Sequence, residues 1–163
     1  MAYTYDYPRP MVACDTVVFA RQDDGGTRVL LVQRKRDPFA GCWALPGGFL
    51  NMDEECRDGA ARELAEETGL RGLDLRFLGV YDRVDRDPRG RVLSIVYCAW
   101  LEDAAACGEA TAGDDAAQAR WFAVDALPPL AFDHDRIIAD ARCRFWSAAA
   151  ERSGDAALAS NQG

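Results

Sequence analysis

The hydrophobic pattern of the first third of the chain is that of short strands joined by turns. Residues 11–20 and 28–34 are rich in Val, Leu and other strand-forming residues, and Asp23-Asp24-Gly25-Gly26 lies between them. Such runs joined through a Gly-Gly pair predict a β-hairpin. Residues 37–48 carry prolines and glycines without a repeating pattern, which predicts an irregular loop.

Helical periodicity begins after this loop. Residues 52–68 are predicted to form a helix that ends at Gly69, because glycine readily takes the left-handed conformation of a helix C-cap. Further strands are predicted over residues 73–84, 91–101 and 120–124, with a polar turn at 85–90 and a loop at 102–118. A second helix from about residue 133 is predicted by apolar residues at helical spacing, namely Ile137, Ile138, Ala141, Phe145 and Ala148.

This order of elements predicts one α/β domain with a mixed sheet. A length of 163 residues fits a single domain with short extensions. We expect an N-terminal arm at residues 1–10, the domain itself at 11–150 and a flexible tail at 151–163, since the tail is small and polar.

The composition disfavours several classes of function. A net charge of −8 opposes binding to nucleic acid or to an anionic membrane, which require clustered cations. No apolar run approaches the roughly 20 residues that cross a bilayer, and the N-terminus lacks the features of a secretory signal. The six cysteines form no C-x-x-C pair, which disfavours a zinc site. We therefore expect a cytoplasmic protein with a small-molecule partner.

Much of the negative charge is concentrated in residues 48–70, which hold seven acids and two arginines. On a helix, Glu63, Glu66 and Glu67 share an arc of about 100° and form one acidic face. Like charges at this spacing repel one another, so we expect a compensating cation. Mg²⁺ prefers carboxylate and carbonyl oxygens and keeps open positions for water and phosphate. The segment therefore predicts a magnesium site that binds a phosphorylated substrate.

The pattern Gly48-x5-Glu54-x7-Arg62-Glu63-Leu64-x-Glu66-Glu67-x-Gly69-Leu70 resembles the Nudix box at every defined position. The resemblance extends over roughly residues 11–147. It implies an α/β/α sandwich around a mixed sheet, in which the box forms a loop, a helix and a loop. It also implies hydrolysis of a nucleoside diphosphate linked to another moiety, and a homodimer in which residues 3–10 are a plausible contact.

Carried over by position, the resemblance assigns roles to the acidic residues. Glu63, Glu66 and Glu67 would hold Mg²⁺, or Mn²⁺ in its place, together with the Gly48 carbonyl. Glu63, Glu67 and Arg62 form the predicted catalytic set, in which Arg62 braces the loop and helix together with Glu54. Glu63 is the first choice for the general base, and the rival acids lie in the 102–118 loop, namely Glu109, Asp114 and Asp115.

The segments around the box resemble the ADP-ribose pyrophosphatase branch of this family. The expected reaction is therefore hydrolysis of ADP-ribose to AMP and ribose 5-phosphate. Arginines suit a diphosphate because their guanidinium groups donate paired hydrogen bonds, and an aromatic ring can stack on a base. The predicted substrate-binding residues are Arg34, Arg36, Arg83, Arg86 and Phe49.

Two alternatives to this reaction remain open at the level of the sequence. One is an enzyme that hydrolyses nucleoside triphosphates or other nucleotide-sugars. The other is a non-catalytic Nudix-like regulator that senses a nucleotide. The intact acidic set favours turnover over sensing alone.

Overall fold

The computed structural model describes residues 4–21, 26–102 and 116–144, and within these ranges seven strands form one mixed β-sheet. The strands are β1 (Met11–Arg21), β2 (Thr27–Arg34), β3 (Trp43–Ala44), β4 (Gly47–Phe49), β5 (Arg76–Tyr81), β6 (Val92–Leu101) and β7 (Ala116–Ala123). Helix α1 (Cys56–Thr68) follows β4 in the chain. A second helix, α2, runs over residues 134–144.

Strand β1 organises the sheet by pairing with three other strands. It pairs in parallel with β6 along nearly its whole length and antiparallel with β2 at its C-terminal end. It also pairs antiparallel with β4, which places Gly47 and Gly48 opposite Asp15 and Cys14. The sheet order is β3-β2-β1-β6-β5, and β7 pairs with β2. The segment that leads into α1 is therefore held against the middle of the sheet.

The two helices pack against different faces of the sheet. Successive side chains of a strand point to opposite faces, and on β1 the side chain of Val18 packs with Leu64 of α1. The neighbouring Val17 and Phe19 pack instead with Ile137 of α2. This arrangement is an α/β/α sandwich around a mixed sheet, so the predicted fold class is confirmed.

Helix α1 begins later than the sequence pattern predicts. The predicted start at residue 52 is wrong, because residues 52–55 form a turn and the helix begins at Cys56. The carboxylate of Glu54 accepts a hydrogen bond from the Asn51 N–H at 2.8 Å and so holds this turn. The predicted end is confirmed: Gly69 has φ 78° and donates its N–H to the Ala65 carbonyl.

Several strand boundaries also differ from the prediction. The 37–48 loop contains two short strands, β3 and part of β4, which pair with β2 and β1. Strand β5 is shorter than the predicted 73–84, and β7 begins at residue 116 rather than 120. The antiparallel pairing of β1 with β2 confirms the predicted hairpin.

Other predictions fall outside the described residues. These are most of the hairpin turn, residues 103–115 of the predicted loop, Phe145 and Ala148 of the second helix, and the 151–163 tail. Where the chain is described, no helix combines the length and the apolar character that a bilayer crossing requires.

Candidate active site

Arg62 contacts two carboxylates of the acidic face on α1. Its Nη1 donates to Glu63 Oε1 at 2.7 Å and to Glu66 Oε2 at 3.2 Å, so one guanidinium group bridges two of the three carboxylates. The Glu63 side chain is 16% exposed, whereas that of Glu66 is 58% exposed. Arg62, which belongs to the same helix, therefore offsets part of the repulsion between these carboxylates.

The same arginine ties α1 to the preceding turn. Arg62 Nε and Nη2 donate to the two carboxylate oxygens of Glu54 at 2.9 and 2.6 Å, and Nη2 also reaches the Phe49 carbonyl at 3.3 Å. These bonds from Arg62, together with the Asn51 N–H, lower the pKa of Glu54 to about 2. Paired guanidinium-carboxylate bonds fix geometry as well as charge. These contacts join the turn before α1 to the helix itself.

Glu67 reaches from α1 to the sheet. Its Oε2 accepts a hydrogen bond from the Gly47 N–H at 2.9 Å. Burial raises the pKa of this carboxyl to about 8, the Gly47 hydrogen bond opposes the rise, and the nearby charges of Glu63 and Asp15 add to it. Burial likewise raises the pKa of Glu63, although the hydrogen bond from Arg62 opposes the rise. Carboxylates whose pKa values are raised by burial and by neighbouring negative charges are expected to attract a cation.

Two glycines allow the carboxylates to approach the backbone of β4. A Cβ on Gly48 would lie 2.5 Å from the Glu63 carboxylate, closer than real Cβ contacts allow. A Cβ on Gly47 would overlap Asp15 Oδ1 and lie 2.5 Å from the Cys14 carbonyl oxygen. The Gly-Gly pair therefore lets acids from α1 and β1 meet the same short strand.

The donor set on α1 fits a hard divalent cation. All the candidate ligands are oxygens, comprising the carboxylates of Glu63, Glu66 and Glu67 and the carbonyl of Gly48, and Mg²⁺ and Mn²⁺ favour such ligands. In the described ranges, no three His, Cys, Asp or Glu side chains converge on a ready-made metal cluster. Glu63 and Glu66 accept hydrogen bonds from Arg62, and Glu67 accepts one from Gly47.

A small cavity of about 80 Å³ lies against the Gly47–Gly48 strand. Three of the predicted substrate-binding residues, Arg34, Arg86 and Phe49, line it. Arg36 is exposed and does not line this cavity. Arg83 pairs with Asp85 and lines a different cavity between β5 and α2. The structure therefore brings three of the five predicted residues together beside the acidic face.

The cavity arginines are held by neighbours. Arg86 forms a two-point ion pair with Asp133, with its Nη2 at 2.8 Å and its Nε at 3.3 Å. Arg34 Nε donates to the Pro38 carbonyl at 2.8 Å, and its guanidinium lies 4.9 Å from the centre of the Phe132 ring. Burial lowers the pKa of Arg34, and the nearby positive charge of Arg89 lowers it further.

Arg89 completes the positive side of the cavity. Its Nη2 lies 2.6 Å from Asp87 Oδ2, and its guanidinium lies 4.8 Å from the Phe49 ring and 5.4 Å from the Phe132 ring. Two cations thus converge on one aromatic ring, at distances suited to cation–π contact. Phe132 lies far from these arginines in the sequence and contacts them only in the folded chain, so it was not predicted from the sequence as part of the site.

Two further polar groups of the cavity lining are buried. Asp15 is 7% exposed, and its Oδ2 accepts a hydrogen bond from the Ser94 hydroxyl. His134 Nδ1 accepts the Leu45 N–H at 2.9 Å, so the neutral ring carries its proton on Nε2, and burial lowers its pKa. Asp15 could have been suspected from the sequence, because it is the single acid in an otherwise apolar strand.

Known proteins resemble this chain over most of its length. Over 134 residues, the chain is 46% identical to the ADP-ribose pyrophosphatase of Methanocaldococcus jannaschii, covering 82% of this chain and 74% of the relative. It is 32% identical to the ADPR responsive transcriptional repressor NtrR of Acinetobacter baylyi, covering 86% of this chain but only 56% of that protein.

A solved structure provides the third comparison. The NUDIX domain of Shewanella oneidensis NrtR, crystallised with ADP ribose, superposes with a TM-score of 0.75 at 30% identity. The match covers 86% of this chain and 94% of that one. Residues 11–141 match the NUDIX domain, and the chain therefore belongs to the NUDIX family. It is a Nudix pyrophosphohydrolase, an enzyme that acts on phosphorus-containing anhydrides.

Proposed function

We propose that this enzyme hydrolyses ADP-ribose to AMP and ribose 5-phosphate with the help of Mg²⁺, for which Mn²⁺ can substitute. The observation that carries the proposal is the position of the acidic face of α1 beside an arginine-lined cavity, with only the Gly47–Gly48 strand between them. The identity to an ADP-ribose pyrophosphatase supports this choice of substrate, as does the ADP ribose bound to the related Shewanella domain.

The residues of α1 and β4 would hold the cation. Carboxylates of Glu63, Glu66 and Glu67 and the carbonyl of Gly48 are the proposed ligands, and Arg62 keeps the first two in place through its hydrogen bonds. When bound, a divalent cation neutralises charge on phosphate oxygens and lowers the pKa of a bound water. An acidic protein can in this way accept a polyanionic substrate.

Within this scheme the chain itself orients the reactants and accepts a proton. Water attacks a phosphorus of the diphosphate, the new P–O bond forms as the anhydride P–O bond breaks, and the water gives up a proton. Glu63 is our proposed acceptor of that proton, because its carboxylate is largely buried and lies against the backbone of Gly48. Arg34 and Arg86 are proposed to bind phosphate oxygens, and Phe49 to stack on an aromatic or sugar group.

The rival acceptors Glu109, Asp114 and Asp115 lie outside the described residues. Single Gln or Asn substitutions of these three acids, set beside Glu63→Gln, separate the candidates. If Glu63 is the base, its variant loses the rise of kcat with pH that the wild type shows, whereas the loop variants keep it. A loop variant that alone loses this rise would replace Glu63 in the proposal.

A regulatory role is the second candidate, and the similarity to the Acinetobacter repressor favours it. The chain spans about half of that repressor, so the comparison concerns the Nudix part of the two proteins. A sensing domain would bind ADP-ribose without consuming it. Turnover of ADP-ribose by the purified chain therefore separates the two candidates.

We further propose a cytoplasmic homodimer with the N-terminal arm at its interface. Residues 5–10 line a groove of about 690 Å³ together with residues 49–52. Several exposed apolar side chains line this groove, namely Tyr5, Tyr7, Met11, Phe49 and Met52. Exposed apolar patches of this kind are typical of association surfaces. Sedimentation of the full chain and of a chain beginning at residue 11 tests the proposal.

The substrate is tested by product chromatography. ADP-ribose, NADH, sugar nucleotides and nucleoside triphosphates are each incubated with the enzyme and Mg²⁺ or Mn²⁺, and again with a chelator. We expect AMP and ribose 5-phosphate from ADP-ribose, and no product in the chelator. A catalytic efficiency on ADP-ribose below a tenth of that on the best substrate would refute the proposal.

A further inference from the structure

The buried carboxylate of Asp15 has no role in the reaction described above. It lies on β1, on the side of the sheet that faces α2, and lines the cavity beside Gly47. Within the described ranges, no ion pair includes Asp15, and each nearby arginine has another partner. Burying a carboxylate without a cation is costly unless hydrogen bonds satisfy it. The hydroxyl of Ser94 satisfies only one of its two oxygens.

The size of the cavity limits what Asp15 can meet there. Its volume of about 80 Å³ exceeds the ~30 Å³ that one water occupies in the liquid. It is well below the roughly 300–1,000 Å³ typical of pockets that enclose a whole ligand. The cavity therefore suits one end of a substrate rather than a complete nucleotide.

The chemistry of the lining indicates which end. A carboxylate that accepts hydrogen bonds suits a donor without charge, such as a sugar hydroxyl, and acidic residues bind ribose hydroxyls in this way in other proteins. Arg34 and Arg89 both contact the Phe132 ring, at 4.9 and 5.4 Å, and the pKa of Arg34 is lowered by burial and by the positive charge of Arg89. A phosphate group between them would relieve their repulsion. One wall thus favours hydroxyls and the other a phosphate.

From this juxtaposition we infer that the cavity is a sugar-phosphate subsite in which Asp15 accepts hydrogen bonds from the ribose hydroxyls of the half that leaves as ribose 5-phosphate. The inference rests on the proposed function and deepens it. The Gly47–Gly48 strand presents no side chain between the cavity and the acids of α1. The sugar and the phosphate that it carries can therefore occupy the cavity, while the second phosphate of the diphosphate lies toward the acids of α1.

The kinetic test compares two substrates that share ADP. One is ADP-ribose, and the other is an ADP ester of a simple alkyl alcohol, which lacks sugar hydroxyls. Asp15→Asn keeps an acceptor for Ser94 but places an amide where the carboxylate was. It should raise KM for ADP-ribose by roughly ten- to a hundredfold, the loss expected for hydrogen bonds to a charged group. Its efficiency on the alkyl ester should change less than about threefold.

Asp140→Asn is the matched control, because Asp140 is a carboxylate outside this cavity that accepts a hydrogen bond from Tyr81. It should leave both substrates unaffected. Equal losses on the two substrates in Asp15→Asn would overturn the inference, since they would assign Asp15 a general role in folding or catalysis.

A binding experiment tests the subsite without turnover. Saturation-transfer NMR is recorded on the wild type with ribose 5-phosphate and with a deoxy analogue, and inorganic phosphate is then added to each as a competitor. We expect the signal from ribose 5-phosphate to exceed that from the deoxy analogue at least severalfold, and to fall in Asp15→Asn. Equal signals from the two sugars, displaced equally by inorganic phosphate, would reveal an anion site only and would overturn the inference. Because this comparison also works on the unmodified chain, it remains decisive if the variant does not fold.

The two proposals fail separately. If the wild type does not hydrolyse ADP-ribose but binds ribose 5-phosphate through Asp15, the proposed substrate is wrong and the subsite stands. If it hydrolyses ADP-ribose while Asp15→Asn binds and cleaves like the wild type, the substrate is right and the subsite is wrong.

Discussion

Adjacent glycines on β4 should respond to the same substitution in opposite ways. The atoms nearest to an alanine Cβ at Gly48 would be those of the Glu63 carboxylate, at 2.5 Å, which is the far end of a flexible side chain. An alanine Cβ at Gly47 would meet the backbone of β1, including the Cys14 carbonyl oxygen at 2.5 Å. A side-chain end can swing away, whereas a paired strand cannot move without losing its hydrogen bonds. Gly48→Ala should therefore damage activity, and Gly47→Ala should damage the fold.

The expected magnitudes follow from this difference. Overpacking against a fixed neighbour costs about 1–3 kcal/mol, and in a protein of this size each kcal/mol lowers Tm by roughly 2–4 °C. Gly47→Ala should thus lose about 2–12 °C. Gly48→Ala should lose less than about 3 °C. Its displaced Glu63 should nevertheless lower kcat/KM on the order of 10²-fold, as a misplacement of about 1 Å can do.

The assay measures thermal unfolding and kcat/KM on ADP-ribose for the two variants and the wild type under the same buffer and metal. The wild type gives the reference Tm and the reference kcat/KM, and each variant serves as the control for the other. Wild-type activity of Gly48→Ala would contradict this expectation, because Glu63 would then not need its observed position. Gly47→Ala with wild-type Tm would refute it as well, since β1 and β4 would then not pack as closely as described.

Three further predictions concern other side chains. Glu67→Gln should lose on the order of 10³-fold in kcat while keeping its Tm within a few degrees, because it removes a charge but not the acceptor for Gly47; near-normal turnover would argue against Glu67 as a ligand. Arg62→Lys cannot form the two-point pair with Glu54, so Tm and kcat/KM should both fall, and a variant equal to the wild type in both would show that the brace is dispensable. Burial lowers the pKa of His134 below its ordinary 6.5, so the unfolded chain takes up a proton first and the stability due to neutral His134 is lost as pH falls below about 6.5. The Tm advantage of the wild type over His134→Asn should therefore shrink between pH 7.5 and pH 5.5, and a constant difference would contradict this.

Local sequence patterns predicted the parts of the fold that depend on local contacts. Gly69 signalled the end of α1 because the C-cap conformation needs only the residues around it. The helical spacing of Glu63, Glu66 and Glu67 gave the acidic face for the same reason. The start of α1 was missed because glutamate is also common inside helices. In the structure, the Glu54 carboxylate instead accepts hydrogen bonds from Asn51 and Arg62 and so stabilises the turn before the helix.

The cavity could not be predicted in the same way. It joins β1, β2, the segment before β6 and the start of α2, which meet only once the sheet has formed. Strands β3 and β4 contain two and three residues, too few to show an alternating pattern. Arg34 and Arg86 could be proposed as phosphate ligands from residue type, but Phe132 and Asp15 acquire their significance from contacts across the fold.

In our proposal, the acidic face of α1 binds a metal ion, and this ion holds the diphosphate beside Gly47 and Gly48 of β4. Anomalous diffraction from crystals soaked with Mn²⁺ and a non-hydrolysable ADP-ribose analogue measures this directly. We expect a manganese peak within bonding distance of carboxylate oxygens of Glu63, Glu66 and Glu67, with the diphosphate in contact with it. A diphosphate bound elsewhere, or bound beside α1 with no manganese on those carboxylates, would contradict the account.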